Sequence, residues 1–381
     1  MKITKLETFF VKPRWMFLKI STDVGLVGWG EPIVEGRART VATAIMEHEK
    51  YLIGQDPRRI EHHWQVMYRG VFYRGGPVLT SALSGIEQAL WDIKGKDCGL
   101  PVYEMLGGAV RDRIRMYAGC HGGGMDDHAG AAAAALERKG QGFTAIKTAV
   151  DGPVRNVDTP AMVAKVAGKL AAMREAVGDE MDIAVDCHGR VSPAMAVRFA
   201  RAFEPYGLMF LEEPCLPQNV DAMARIARST TIPIATGERL FTRWGFRRVL
   251  EEQAAAVLQP DLCHAGGIFE VRKIAAMAET YYLSVAPHNP LGPISLAACL
   301  QLDACTPNFL IQEHPADADG RDLGVDYFTQ PFVIKDGYIA VPQGPGLGIE
   351  VNEDAVAAHA YVGDWENPLF EDPDDHSVAD W

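Results

Sequence analysis

The sequence predicts an α/β protein: a (β/α)8-type barrel preceded by a small α+β domain, to which the C-terminal segment returns. Three observations carry this reading. From about Ile114, short apolar segments alternate with alanine-rich amphipathic ones, the pattern of βα units around a parallel sheet. Eight such apolar segments fall within roughly 200 residues, the lower size of a closed (β/α)8 barrel. The stretch before them has another texture, with short strands followed by helical periodicity. The expected boundaries are 1–113 for the α+β domain, 114–320 for the barrel and 321–381 for the returning segment.

In the first domain, MFLKIST and GLVGWGE read as antiparallel strands joined by a turn at Asp23-Val24-Gly25. ARTVATAIMEHEKYLI and SALSGIEQALWDIKGKDCG read as helices, the second stopping at Gly99 just ahead of Pro101. The barrel strands are IRMYAG, AIKTAV, DIAVDCH, LMFLEEP, PIATGE, AVLQPD, SVAPH and FLIQEH. Helical segments such as PAMVAKVAGKLAAMREAV, PAMAVRFARAFE, VDAMARIARS, GFRRVLEEQ, FEVRKIAAMAETY and PISLAACLQLDAC lie between them. A doubly wound open sheet is the competing architecture, but it lacks a glycine-rich dinucleotide turn after its first strand. Beyond Glu313 the chain is turn-rich, with a strand-like FVIKDGYIAV and an acidic, proline-containing tail.

The 381 residues carry 37 basic and 50 acidic side chains, a net charge of −13, which argues against nucleic acid or an anionic membrane as partner. Apolar runs are interrupted well short of the roughly 20 residues of a membrane helix, and the N-terminal MKITKLETFF does not read as an export signal. Seven cysteines without a C-x-x-C pair fit reduced thiols. A cytoplasmic protein is expected. Cys187 and Cys263 stand beside candidate site residues, but neither has a partner by spacing that would lower its pKa.

The chemistry lies at the C-terminal ends of the barrel strands, which converge on one mouth. Asp186, Glu212, Glu238, Asp261, His288 and Glu313 stand there, separated by 26, 26, 23, 27 and 25 residues, each near one βα unit. A single acid at a strand end is commonly a helix cap; six ionisable groups in register point to a site. Carboxylates held together repel one another unless a cation neutralises them. Asp186, Glu212 and Glu238 offer only oxygen, which favours a hard divalent ion, Mg²⁺ ahead of Mn²⁺. In DCHGR, Asp186 and His188 are two apart on a strand and so share a face. Asp261 and His288 end adjacent strands, as expected of a carboxylate that orients an imidazole.

The segments DCHGR, FLEEP, TGERL, LQPD with HAGG, APHNPLGP and IQE resemble the enolase superfamily, mandelate racemase branch, and most closely its galactonate dehydratases. GWGEPIVEGRART, YLIGQDPRRI, FYRGGP and the closing WENPLFEDPDDHSVADW extend the resemblance over nearly the whole chain. It implies a modified (β/α)7β barrel capped by the small domain, with one Mg²⁺ per subunit on Asp186, Glu212 and Glu238. It also implies His288 with Asp261 as base, His188 as acid, and Glu313 as a polar group at the substrate carboxylate. Glu213 would support the site rather than ligate the ion.

The expected activity is dehydration of a sugar acid to a 2-keto-3-deoxy acid, with D-galactonate the first candidate substrate. An α-proton of a carboxylate is too weakly acidic for histidine unless the developing negative charge is stabilised; Lys147 would be a second cation beside the metal. Racemases of this branch often carry Lys-x-Lys on the second barrel strand, where this chain has Lys147-Thr148-Ala149, so one of two bases is missing and dehydration is favoured over epimerisation or racemisation. The galactonate dehydratases have a polar residue where Ala149 stands, a departure that bears on which acid is accepted. A sugar-acid-binding protein without turnover is a further reading, disfavoured by the complete set of acids and histidines.

Arg14, Trp15, Tyr73 and Arg74 are candidate contacts to the distal hydroxyls from a lid, with Gly75-Gly76 as hinge. Ala265-Gly266-Gly267 is either an oxyanion-binding turn or a tight βα turn. A homo-oligomer is expected, with Trp365 and Trp381 as packing or subunit-contact anchors.

Overall fold

The computed structural model describes residues 1–122, 124–372 and 374–380; Trp381 lies outside the described residues. Strands β1 (Ile3–Val11), β2 (Trp15–Thr22) and β3 (Val27–Gly30) form an antiparallel sheet in that order. Helices α1 (Ala38–Leu52), α2 (Ile60–Arg69) and α3 (Pro77–Cys98) pack beside it, and α4 (Val102–Met105) leads to the barrel. The α2 helix was not expected from the sequence. Its apolar face is only Ile60, Trp64 and Met67, supplemented by a buried histidine, His63, so polar residues hide its period.

The long helix α3 begins at Pro77, which needs no intrahelical N–H partner, and stops at Gly99 in a left-handed conformation (φ 68°). It lies against β3 at backbone contact. A Cβ at Gly30 would fall 2.1 Å from the Gly85 carbonyl oxygen, and one at Gly28 equally close to that of Ala89. The G-x-G of strand β3 is therefore a packing requirement.

Eight parallel strands follow: β4 (Arg113–Gly119), β5 (Ala145–Ala149), β6 (Asp182–Asp186), β7 (Phe210–Glu212), β8 (Ile234–Thr236), β9 (Val257–Leu258), β10 (Ser284–Val285) and β11 (Gln312–His314). Helices α5 (His128–Gly140), α6 (Pro160–Val177), α7 (Pro193–Phe203), α8 (Val220–Ala227), α9 (Thr242–Glu251), α10 (Ile268–Glu279) and α11 (Pro293–Cys305) alternate with them. Among the described residues no long helix follows β11, so the barrel is of (β/α)7β form. The strand order runs from β10 down to β4 and then β11, and the ring closes where Val285 bridges Phe309. All eight expected strands are present but several are shorter, because their tips leave the ladder to form the mouth.

One inward side chain from each strand fills the barrel: Tyr117, Ala145, Ala184, Phe210, Ala235, Val257, Ala286 and Ile311. Side chains alternate along a strand, so the residues two further on form the next inward layer. They are Gly119, Lys147, Asp186, Glu212, Gly237, Gln259, His288 and Glu313. The polar layer that forms the floor of the mouth is thus set by the apolar plug beneath it.

The C-terminal segment differs from expectation in its first part. Strand β12 (Tyr338–Ala340) pairs antiparallel with the start of β4, covering an edge of the barrel strand rather than joining the small domain. The return comes later, through helix α12 (Glu353–Ala358) and a bridge between Ala360 and Val11. No helix among the described residues is long and apolar enough to cross a membrane.

Two barrel helices begin at glycines, which have no side chain to cap them, and acids of the small domain supply the missing acceptors. Glu87 of α3 accepts from the backbone N–H groups of Ile268 and Phe269 at 2.8 and 2.9 Å, opening α10, and from Trp91 Nε1 at 2.7 Å. Glu31 accepts from Gly292 and Ser295 at 2.7 and 2.9 Å, opening α11. A Cβ at Gly267 or Gly292 would strike these carboxylates. Replacing Glu87 by Ala should leave three buried donors unpaired and lower stability by at least about 2 kcal/mol. A urea midpoint unchanged from the parent chain would disprove this capping role.

Candidate active site

At the mouth, ligand-type oxygens of Asp186, Glu212 and Glu238 lie within 4.8 Å of one another. Asp186 and Glu212 are paired neighbours on β6 and β7, and Glu238 follows Gly237 just beyond β8. Lys147 Nζ sits among the acids, 3.0 Å from Glu212 Oε2, 2.6 Å from Glu313 Oε1 and 3.5 Å from Asp186 Oδ2. Glu313 Oε2 also accepts from the Asn289 backbone N–H at 2.8 Å.

Burial and the neighbouring negative charges push Glu212 up to about 8 and Glu238 up to about 7. Burial opposes ionisation of Asp186 as well, but His188 and Lys147 outweigh it and hold that carboxyl below its usual range. The single ammonium of Lys147 is therefore insufficient for the whole group. Among the described residues, Glu238 Oε2 is buried without a hydrogen-bond partner. An all-oxygen donor set, excess negative charge and an orphaned carboxylate oxygen together fit a hard divalent cation.

His188 is not on strand β6, contrary to expectation. The strand ends at Asp186, and His188 lies beyond it in a left-handed turn (φ 48°). The turn is closed by Asp186 itself, whose Oδ1 accepts from the His188 backbone N–H at 2.7 Å. The two side chains still meet, His188 Nε2 being 3.0 Å from Asp186 Oδ2. On the far side of the ring, His288 Nδ1 is 2.8 Å from Asp261 Oδ2, and its Nε2 faces Glu238 at 3.6 Å and Glu313 at 3.9 Å. Burial works against a charged His288, yet Glu238, Glu313 and Asp261 raise its pKa well above the ordinary value. Asp261 is itself fixed by the Cys263 N–H at 2.6 Å.

Glu213 is fully buried, stands at φ 37° and pairs with Arg239, which also donates to the His188 carbonyl at 2.9 Å. It supports the His188 turn. Cys187 and Cys263 are buried, and burial pushes both thiols well up, so neither is a ready nucleophile. The Ala265-Gly266-Gly267 turn is engaged by α3 and α2: Gly266 N–H donates to Ser84 Oγ of α3 at 2.9 Å, and Trp64 Nε1 of α2 donates to its carbonyl at 2.9 Å. It is a docking turn.

The four expected lid residues divide. Arg14 reaches the rim, pairing with Glu35 at 2.9 Å, donating to the Pro290 carbonyl at 3.2 Å and covering Trp365. Trp15 does not reach it: 2% exposed, it packs on Phe17 and Tyr327 in the core. Tyr73 is 85% exposed, and Arg74 lies over Tyr68 beside Trp244, outside the cavity wall. The loop arches outward because Tyr68 stacks on Trp244 at 5.2 Å and draws the Arg74 guanidinium to that face. Pro77 reaches the cavity instead.

The cavity holds about 200 Å³ and is walled by His188, Glu238 and His288 below and by Glu35, His264 and Asn367 above. The last three went unmarked in the sequence. His264 is placed by Ser81 Oγ at 2.9 Å from its Nδ1 and lies 3.7 Å from Asp261. Its position three residues after Asp261 in a motif already singled out was the available signal. Glu35 and Asn367 gave none, since both enter from outside the barrel.

Residues 129–355 match the family model described as enolase C-terminal domain-like, and residues 7–107 match the mandelate racemase / muconate lactonizing enzyme N-terminal domain. The chain belongs to the enolase superfamily. It is 48% identical, over the whole of both chains, to the D-galactonate dehydratase of Ralstonia nicotianae, and 47% identical, again over the whole of both, to that of Pectobacterium atrosepticum. Among solved structures it resembles a mandelate racemase/muconate lactonizing enzyme from Sulfitobacter sp. (TM-score 0.91, 35% identity, covering 98% of this chain and 99% of that one). An enolase-superfamily member from Salmonella Typhimurium is also similar (TM-score 0.88, 34% identity, covering 93% and 97%). Enolase-superfamily enzymes use a divalent metal, and the acidic triad of this member is present at the mouth.

Glu238→Gln should remove the charge of the triad acid whose Oε2 has no hydrogen-bond partner among the described residues and weaken divalent-cation binding at least tenfold, about 1.4 kcal/mol. Calorimetric titration giving the same affinity for parent and variant would remove Glu238 from the ligand set.

Proposed function

We propose that this enolase-superfamily member dehydrates D-galactonate to the 2-keto-3-deoxy acid in a Mg²⁺-dependent reaction. The observation that carries the reading is the placement of two histidines across the ring. His188 follows β6 and His288 follows β10, four strands apart in an eight-strand barrel, and each touches the acid cluster from its own side. The full-length identity of 48% to D-galactonate dehydratases supports the choice of substrate.

A divalent ion on Asp186, Glu212 and Glu238 would stabilise negative charge on the substrate carboxylate as C2 loses its proton. Lys147 adds a second positive charge at that end, oriented by Glu313, which is the polar group expected beside the carboxylate. His288 Nε2 takes the C2 proton while Asp261 holds Nδ1, fixing the ring and favouring the imidazolium. The C2 electron pair becomes the C2–C3 double bond, the C3–O bond breaks, and the hydroxyl leaves as water with a proton from His188. The enol then relaxes to the ketone. Ala149, level with Asp186 on the neighbouring strand, offers no base on the opposite face, so return of a proton to C2 with inversion lacks a donor there.

A homo-oligomer in the cytoplasm accompanies this reading. Phe72 at 88% exposure and Tyr73 beside it form an apolar projection suited to a subunit contact, and all seven cysteines are free thiols.

Incubation with a panel of aldonic acids and Mg²⁺, followed by assay for 2-keto acids, tests the reaction; silence with D-galactonate and every other aldonate would refute it. His288→Asn should abolish exchange of the C2 hydrogen with solvent deuterium while Mg²⁺ binding survives. His188→Asn should retain that exchange and lose elimination by roughly 10²–10⁴-fold. Exchange without water loss in the parent chain would identify an epimerase instead.

A further inference from the structure

The last residues of the chain cross from the small domain to the barrel directly over the mouth. Their near end is fixed to the small domain. Tyr361 N–H donates to the Phe10 carbonyl at 3.0 Å, and Arg39 donates to the Val362 carbonyl at 2.9 Å. Trp365 then lies under the Arg14 guanidinium at 5.2 Å, and Arg14 holds Glu35 at the cavity rim. Asn367 follows, packed against Gly36 and lining the cavity. Gly36 stands at φ 71°, and a Cβ there would lie 3.3 Å from the Asn367 amide.

Phe370 comes next, its ring 5.5 Å from the Arg190 guanidinium. Arg190 in turn contacts His188: its NH2 is 2.8 Å from His188 Nδ1, while NH1 donates to the Val150 carbonyl at 3.0 Å. Nδ1 is thus held toward Arg190, and Nε2 is the nitrogen that faces Asp186 and the cavity. The far end is tied by Arg155 to Asp372 at 3.2 Å and to Asp374, and Ala379 N–H closes back on the Phe370 carbonyl at 2.9 Å. These far-end ion pairs are solvent-exposed and contribute little, so the strap is firmly anchored at one end and lightly latched at the other.

We propose that this C-terminal strap, residues 364–372 and 374–380, is part of the active site: Phe370 positions His188 through Arg190, and Asn367 meets the distal hydroxyls of the substrate. The proposal rests on the dehydratase reading for its substrate, but the positioning of His188 is a property of the protein alone. Arg190 and Phe370 are positioning residues, and Asn367 is the substrate contact. An aldonate whose carboxylate end faces Lys147 and whose C2 and C3 lie between His288 and His188 has only the upper wall left for its remaining carbons. That wall is formed by Glu35, His264 and Asn367, each with hydrogen-bonding groups for a hydroxyl.

Three measurements test it. With selectively ¹⁵N-labelled histidine, Phe370→Ala should shift the His188 ring nitrogen signals, and Phe370→Leu, which keeps an apolar cover, should restore most of the parent pattern. Unchanged His188 signals in Phe370→Ala overturn the positioning role whatever the substrate proves to be. In turnover, Phe370→Ala should slow water loss at least about tenfold while C2 hydrogen exchange stays within about threefold of the parent chain, because His288 is untouched; equal loss of both steps would mean general disruption and overturns the assignment. Asn367→Ala should raise KM for a six-carbon aldonate several-fold and leave KM for a four-carbon one unchanged; an equal effect on both removes Asn367 from the distal wall. A parent chain that turns over no aldonate refutes the dehydratase reading, and the histidine spectra still decide the role of the strap.

Discussion

Everything at the barrel mouth depends on holding several carboxylates closer together than their charges allow. Asp186, Glu212 and Glu313 converge on one ammonium, that of Lys147, with Glu238 beside Asp186 and Glu212, in a place where water is largely excluded. Burial amplifies repulsion and attraction alike. The consequences spread outward. Lys147 is drawn into the ring, His188 turns back onto Asp186, and the oxygen-only donors leave room for a hard divalent ion. The same crowding is what makes the site useful, since a metal and an ammonium placed to quiet these acids are also placed to stabilise charge that develops on a substrate carboxylate.

A barrel alone would leave this mouth open, and the small domain meets it through polar contacts as well as apolar ones. Along α3, Ser81, Ser84, Glu87 and Gln88 meet His264, Gly266, the start of α10 and the Leu262 carbonyl in turn. A helix buried from Thr80 to Ile93 that carries this many polar groups is tolerable only because these find partners. The glycines opposite are explained by the same contact: side chains at Gly267 or Gly292 would occupy the space of the acids that cap those helices. The stitching ties the turn after Asp261 and the helix after His288 to a rigid neighbour, so the His288 ring is oriented by two layers of structure.

Much of this was legible before any coordinates. The 23- to 27-residue spacing of ionisable groups identified the strand tips because a βα unit has a characteristic length, and each of the eight strands and the helices between them was recognisable from period alone. The readings that needed correction share a cause, which is that local period ends where a strand ends. Asp186 and His188 were placed on one face by strand alternation; they meet instead through a left-handed turn that the Asp186 carboxylate closes. Trp15 looked like a lid residue by its neighbours, but its ring is core packing between Phe17 and Tyr327. Tyr73 and Arg74 sat beside a glycine hinge, yet an aromatic stack with Trp244, distant in sequence, turned that loop away from the mouth.

The sequence by itself determined the barrel, the acid cluster and the His288–Asp261 pair, because these follow from residue type and from repeats no longer than one βα unit. Only the tertiary structure decided what stands above the cluster. His264 is fixed by Ser81, 183 residues away, and Arg14 is held between Glu35 and Trp365. The strap that brings Asn367 and Phe370 over His188 joins the two ends of the chain to the barrel. No periodicity connects such segments; they meet because the closed ring and the buried face of α3 leave them one shared surface to cover.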